Sequence, residues 1–299
     1  MTRTGEQFSI EAGDYRATIV EVGAGLREMW HGDRAVTAGY PADLLTPKCC
    51  GCVLVPWPNR IRDGQYSFAG VDYQLPLTEP SLHNASHGLA RWARWSVARR
   101  AADRVRLEID LVPQIGWPFE LRCAIEYRLD AERGLIASAT AQNHGVQAAP
   151  FGFGAHPYLS IGDVPLAEVE LRIPAQSYLT LDAHKLPTGR LPVDGTSYDV
   201  RELTRLGPLR LDDCYVDLIT NGGTGTAELR AAEHTTTLWW DESITAVQVY
   251  TPEVLHDTMT AVAIEPMSCP PDAFNSGDGL VVLAPGERWA ASWGIRSGD

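Results

Sequence analysis

Val105-Arg-Leu-Glu-Ile-Asp-Leu-Val112 and Leu121-Arg-Cys-Ala-Ile-Glu-Tyr-Arg-Leu129 alternate apolar with polar or small side chains. Successive side chains on an extended strand point to opposite faces, so one face of each run suits a core and the other suits water. Similar strand-type runs occupy residues 15–22, 135–141, 228–230, 235–240, 246–250 and 289–295, bounded by turn-forming residues. The 27 glycines and 20 prolines supply the stops between them. Helical periodicity over three turns is absent, and residues 200–206 are expected to make at most one short helix or turn. Regularly spaced strands with almost no helix predict an all-β protein, a large antiparallel β-sandwich. Without a linker, repeat or low-complexity tract, residues 1–299 are expected to form a single domain.

The 25 basic and 38 acidic residues give a formal charge of −13. Nucleic acid and anionic membranes, which require a basic footprint, are excluded as main partners, whereas a neutral small molecule is not. The first residues lack an apolar core of signal-peptide length, and no run approaches the roughly 18 apolar residues of a membrane span. Cys49, Cys50 and Cys52 crowd together while Cys123, Cys214 and Cys269 are scattered, which is not a disulfide framework. The crowded three lack a second Cys/His pair at zinc-finger spacing. A reduced, cytoplasmic protein with small buried thiols is expected, with no metal and no cofactor.

Four stretches place titratable residues in apolar or tightly turned settings. In Leu54-Val-Pro-Trp-Pro-Asn-Arg-Ile61, Arg60 either forks onto a ligand's hydroxyls or pairs with a surface carboxylate. In the second, residues 83–95, His87 precedes Gly88 at an expected turn, and Trp92 and Trp95 offer flat faces that suit a sugar ring or a core equally. Phe151-Gly-Phe-Gly-Ala-His-Pro-Tyr158 holds His156 among small and apolar residues, as a satisfied core histidine or as a proton donor in a pocket. In residues 261–275, Glu265 ends an apolar run before a proline, either paired to an arginine or poised with a shifted pKa. Asp212 and Asp213 add two acids, read as a solvated turn or as part of a site.

These pieces, in this order, resemble the aldose 1-epimerase (galactose mutarotase) family over essentially the whole chain. The matching segments are PNRI at 58–61, N-x-x-H-G at 84–88, GFGAHPYL at 152–159, D-x-C-Y at 212–215, QVYTP at 248–252, IEP at 264–266 and L-x-P-G-E at 283–287. The resemblance implies the family's β-supersandwich fold, with Glu265 as general base and His156 as general acid. It also implies that Arg60, His87 and Asp212 bind and orient the sugar. Asn59, Arg91, Tyr158 and Gln248, in or beside the matched segments, are further candidate binding residues. Gly152 and Gly154 then read as room for a sugar and Pro157 as a restraint on the imidazole. Pro157, Leu89-Ala-Arg91 and Asp-Asp-Cys-Tyr depart from the better-known sugar mutarotases and are similar to a bacterial branch.

The implied activity is interconversion of the α and β anomers of a free aldohexose such as galactose or glucose, by a monomer or homodimer. A hexose 6-phosphate is the alternative substrate, with Arg91 and its neighbours Arg60, Arg62 and Arg94 as phosphate partners. A non-catalytic sugar-binding module would dispense with Glu265 or His156. A glycoside hydrolase would require two carboxylates across the bond.

Overall fold

The computed structural model describes residues 2–257 and 259–298. Two large antiparallel sheets dominate it, as the alternating runs require. The first has nine strands in the order Ser96–Arg100, Arg104–Leu111, Leu121–Asp130, Gly134–Asn143, Arg288–Ser297, His234–Trp240, Gly225–Ala231, Glu170–Arg172 and Thr204–Arg205. The second runs Pro187–Pro192, Ala175–Leu181, Asp212–Leu218, Ala246–Tyr250, Ala261–Met267, Gly154–Ala155 and Val53–Leu54, with Tyr158–Ser160 also paired to Ala261–Met267. A smaller four-stranded sheet holds Gln7–Ala12, Tyr15–Val20, Leu26–His31 and Arg34–Ala35.

The hydrophobic core lies between the two large sheets. Leu107, Ile125, Ala137 and Trp293 of the first and Val247, Val249, Val262 and Ile264 of the second belong to one buried cluster. Burying apolar surface at about 25 cal/mol per Å² is the main force holding such faces together. The protein is therefore the large antiparallel β-sandwich that the alternation predicts. Residues 200–206 form no helix: Thr204–Arg205 is an edge strand pairing with Glu170 and Leu171. Helix is confined, among the described residues, to the short segment Ala273–Ser276 and three 3₁₀ turns. None of these helices is long and apolar enough to cross a membrane.

Candidate active site

The central strand Ala261–Met267 is buried at all seven positions and organises the site. On one side its register pairs Gln248 with Glu265, and the next strand continues the row with Cys214 opposite Gln248. On the other side Gly154 pairs with Met267 and Tyr158 with Ala263. The same register sets His156 opposite Glu265, in the short gap between those two pairings. Pro157 lacks an N–H, yet its carbonyl still accepts from Ile264 N at 3.3 Å. His156 turns its own backbone to the other neighbour, with its N donating to Cys52 O at 3.1 Å and its O accepting from Gly51 N at 2.8 Å.

Directly opposed residues in an antiparallel sheet share a face. One row therefore carries Cys214, Gln248, Glu265 and His156, and the next row on that face carries Asp212, Tyr250, Ala263 and Tyr158. The opposite face supplies Val247, Val249 and Ile264 to the core. Arg60 and His87 arrive from a separate two-stranded unit, Arg60–Arg62 with Asn84–Ser86. Both flanking corners are left-handed, Asn59 at φ +52° and His87 at φ +60°, and they are joined by His87 N donating to Asn59 O at 2.7 Å. Gly88 follows at φ +70°, where a Cβ would lie 2.1 Å from Val55 O, so only glycine lets the chain pass there.

All nine candidate residues, Asn59, Arg60, His87, Arg91, His156, Tyr158, Asp212, Gln248 and Glu265, line one cleft of about 330 Å³. That size lies within the range of small-molecule sites. His156 Nε2 stands 3.4 Å from Glu265 Oε1, and their side chains are 6% and 2% exposed. The imidazole stacks on Tyr158 at 5.0 Å and meets His87 edge-on at 5.5 Å. Gln248 Nε2 donates to Asp212 Oδ1 at 3.0 Å, and Lys185 Nζ lies 3.5 Å from Asp212 Oδ2. Arg60 grips Glu79, and Arg91 Nη1 donates to Cys49 Sγ at 3.6 Å.

Burial drives the central groups toward neutrality. It pushes the Glu265 carboxyl well above the usual carboxylate range, aided by the charge of Asp212 and opposed by Arg60. It pulls His156 below the usual imidazole value, with Arg91 and Arg60 acting in the same direction. His87 is lowered too, by burial and then by His156 and Arg91. At 3.4 Å the carboxyl and the imidazole stand side by side, two groups that can each give or take a proton. Five buried polar atoms of the lining, Asn59 Oδ1, His87 Nδ1, His156 Nδ1, Gln248 Oε1 and Glu265 Oε2, have no hydrogen-bond partner among the described residues. Buried polar groups are normally paired, so this concentration marks a place where a polar ligand completes the network.

One sequence expectation requires correction, and several open alternatives are resolved. Gly152 and Gly154 make room for protein and not for a sugar: a Cβ on Gly152 would meet Cys269 Sγ at 2.6 Å, and one on Gly154 would meet Pro58 Cβ at 2.7 Å. No tryptophan lines the cleft among the described residues; Trp95 is in the core and Trp92 is 54% exposed. Asp212 and Asp213 begin the strand Asp212–Leu218 and are not a solvated turn. None of residues 283–287 lines the cleft, and Glu287 Oε2 accepts from Ala284 N at 2.8 Å. The three crowded thiols have separate partner atoms: Cys49 with Arg91 Nη1, Cys50 with Ala38 O and Cys52 with Arg91 O. Among the described residues no group of three or more His, Cys, Asp or Glu is placed to hold a metal.

Lys48, Cys49, Thr78, Glu79, Ser86 and Tyr250 also line the cleft, and the sequence did not single them out for it. Tyr250 had a readable signal, since it lies two residues beyond Gln248 on the same strand and so on the same face. Glu79 had none, because its place depends on a turn packed against Asn84.

A family model described as aldose 1-epimerase matches residues 6–296. The uncharacterized protein YihR of Escherichia coli K12 is 36% identical over 292 residues, covering 95% of this chain and 91% of that protein. Human galactose mutarotase is 29% identical over 223 residues, 68% of this chain and 63% of that protein. Among solved structures, a GalM/aldose epimerase homologue from C. elegans superposes with a TM-score of 0.87 at 19% identity, covering 98% of both chains. Galactose 1-epimerase from Lactobacillus acidophilus NCFM superposes at 0.82 with 20% identity, over 97% of this chain and 94% of that one.

Proposed function

Because the chain belongs to the aldose 1-epimerase family, we propose that it interconverts the α and β anomers of a free aldohexose such as galactose or glucose. The observation that carries this reading is the buried Glu265–His156 pair, 3.4 Å apart, in a cleft whose lining leaves five polar atoms unpaired. The anomeric and ring oxygens of an aldohexose are bonded to the same carbon, so an acid and a base acting on them must stand close together. The pair reacts from its ionised form: the Glu265 carboxylate takes the proton of the anomeric hydroxyl while the protonated His156 imidazole gives its proton to the ring oxygen. The bond from C1 to the ring oxygen breaks, the carbonyl end rotates about C1–C2, and reclosure returns both protons. A carboxylate pushed above its ordinary pKa is the stronger base for that task. Asp212, Gln248, Asn59, Arg60 and His87 supply the hydrogen bonds that hold the sugar's hydroxyls, and Tyr158 stacks on the imidazole.

A hexose 6-phosphate is a second reading, favoured by Arg91. The residue is buried, 8% exposed, and no carboxylate pairs with it among the described residues. Its partners are the Cys49 thiol and the ring of Trp92, 5.6 Å from the guanidinium carbon. A buried cation without a counter-charge is costly, and a phosphate would supply one. The test is an anomer-exchange assay, by polarimetry or NMR, over several free hexoses and their 6-phosphates, repeated with Arg91→Met. Free-sugar exchange that survives Arg91→Met supports the first reading. Exchange confined to phosphates and lost with Arg91 supports the second. Sugar binding without exchange by the wild type would overturn both in favour of a non-catalytic module.

A further inference from the structure

Glu79 lies outside every motif quoted above, yet it lines the cleft and holds Arg60 by two parallel bonds. Arg60 Nε donates to Glu79 Oε2 at 2.7 Å and Nη2 to Oε1 at 3.1 Å; neither bond uses Nη1. The grip is built from both sides. Arg60 stands opposite Ser86 in its two-stranded unit. Glu79 is tied to the same unit by Glu79 N donating to Asn84 O at 3.0 Å and Asn84 N donating to Glu79 O at 3.2 Å. The adjacent Thr78 Oγ1 accepts from Ser86 N at 2.8 Å. With side chains 13% and 25% exposed, the pair is screened less than an ordinary surface pair.

We propose that Glu79 is a positioning residue for the anomerisation proposed above: it aims the Arg60 guanidinium at the substrate and offsets the charge that Arg60 would otherwise impose on Glu265 and His156. The inference rests on that functional reading. Arg60 acts on both members of the acid/base pair, favouring the carboxylate of Glu265 and the neutral ring of His156. The other charges that reach the pair are Asp212, which opposes ionisation of Glu265, and Arg91, which opposes protonation of His156. Tyr158, Cys49 and Cys214, the remaining titratable neighbours of Glu265, are all raised by burial and stay neutral. His87 beside His156 is neutral by the same cause. Removing the Glu79 charge leaves Arg60 compensated by Asp212 alone among the fixed charges, and both titrations of the pair then move to lower pH.

The experiment uses Glu79→Gln, Arg60→Met and the double variant, each checked by thermal melting. NMR follows the Glu265 carboxyl and the His156 imidazole through a pH titration of the sugar-free protein, and anomer exchange gives KM and kcat. Glu79→Gln is expected to move both titrations, and the acid limb of kcat/KM, to lower pH. It is also expected to raise KM about tenfold, the scale of a lost charge-assisted bond. In the Arg60→Met background the same change should leave KM where Arg60→Met alone puts it, because there is no guanidinium left to aim. Glu79→Asp, which keeps the charge but shortens the reach, should raise KM while leaving the titrations in place. Unchanged titrations and KM in Glu79→Gln, or an equal rise in KM with and without Arg60, would overturn the proposal. If the wild type exchanges no anomers while the titrations still move as expected, the functional reading fails and the electrostatic role stands.

Discussion

Glu265→Gln removes the proposed base while nearly conserving side-chain shape, at a position 2% exposed. A positioned general base contributes about 10²–10⁴-fold. At 1.36 kcal/mol per decade, that is about 3–5 kcal/mol of barrier. Exchange of a freshly dissolved α-anomer, followed by polarimetry after subtracting the water-catalysed rate, should slow by that factor. Stability should move the other way. Burial, and then Asp212, pushes the Glu265 carboxyl well above its ordinary value of 4.5, so the folded protein retains a proton that the unfolded chain releases. Stability falls with pH wherever the unfolded state binds fewer protons. The wild type therefore loses stability as pH rises from about 4.5 through the folded-state value, and a glutamine at this position does not. Melting temperatures of the two proteins should be close near pH 4.5 and separate in favour of the variant toward pH 8. A wild-type exchange rate in the variant would remove Glu265 from the mechanism. A variant that melts several degrees below the wild type at pH 8 would refute the claim that ionisation of this carboxyl strains the folded state.

His156→Gln should also cost about 10²–10⁴-fold in exchange rate. Because burial lowers His156 from 6.5, the wild type loses stability as pH falls below about 6.5, and melting at pH 5 should favour the variant relative to pH 8. Asp212→Asn keeps an acceptor for Gln248 but removes the charge that faces Lys185 and raises Glu265. KM should rise about tenfold, and the acid limb of kcat/KM should move to lower pH; a limb that stays in place contradicts the assigned coupling. Gly88→Ala puts a Cβ 2.1 Å from Val55 O at φ +70°. Urea unfolding should show a loss of at least ~2 kcal/mol, with exchange reduced because His87 is displaced.

Most of the architecture was legible in the chain because each large sheet buries one face against the other. That forces the period-two alternation in residues such as Val105, Leu107, Leu121, Ile125 and Leu135, all of them buried. Thr204–Arg205 escaped because a two-residue edge strand has no period to read. The site was legible to the extent that its residues sit in ordered short motifs: Asn59 and Arg60, His87, His156, Asp212, Gln248 and Glu265. The sequence could not assign the small residues correctly. Gly152 and Gly154 look like space for a ligand, and only the packing of Pro58 and Cys269 against them shows what they accommodate.

By itself, then, the sequence determined the all-β class, the segments that meet and the chemical types they bring. The tertiary structure alone decided the row that sets His156 opposite Glu265, since that pairing is a register between strands more than a hundred residues apart. It alone decided the partners of each charge as well, placing Glu79 on Arg60, Lys185 on Asp212 and a thiol on Arg91. Hydrophobic alternation is a local constraint, written into every strand that has a buried face. Charge pairing and proton affinity depend on burial and on distances of a few ångströms between remote segments, which no local pattern encodes.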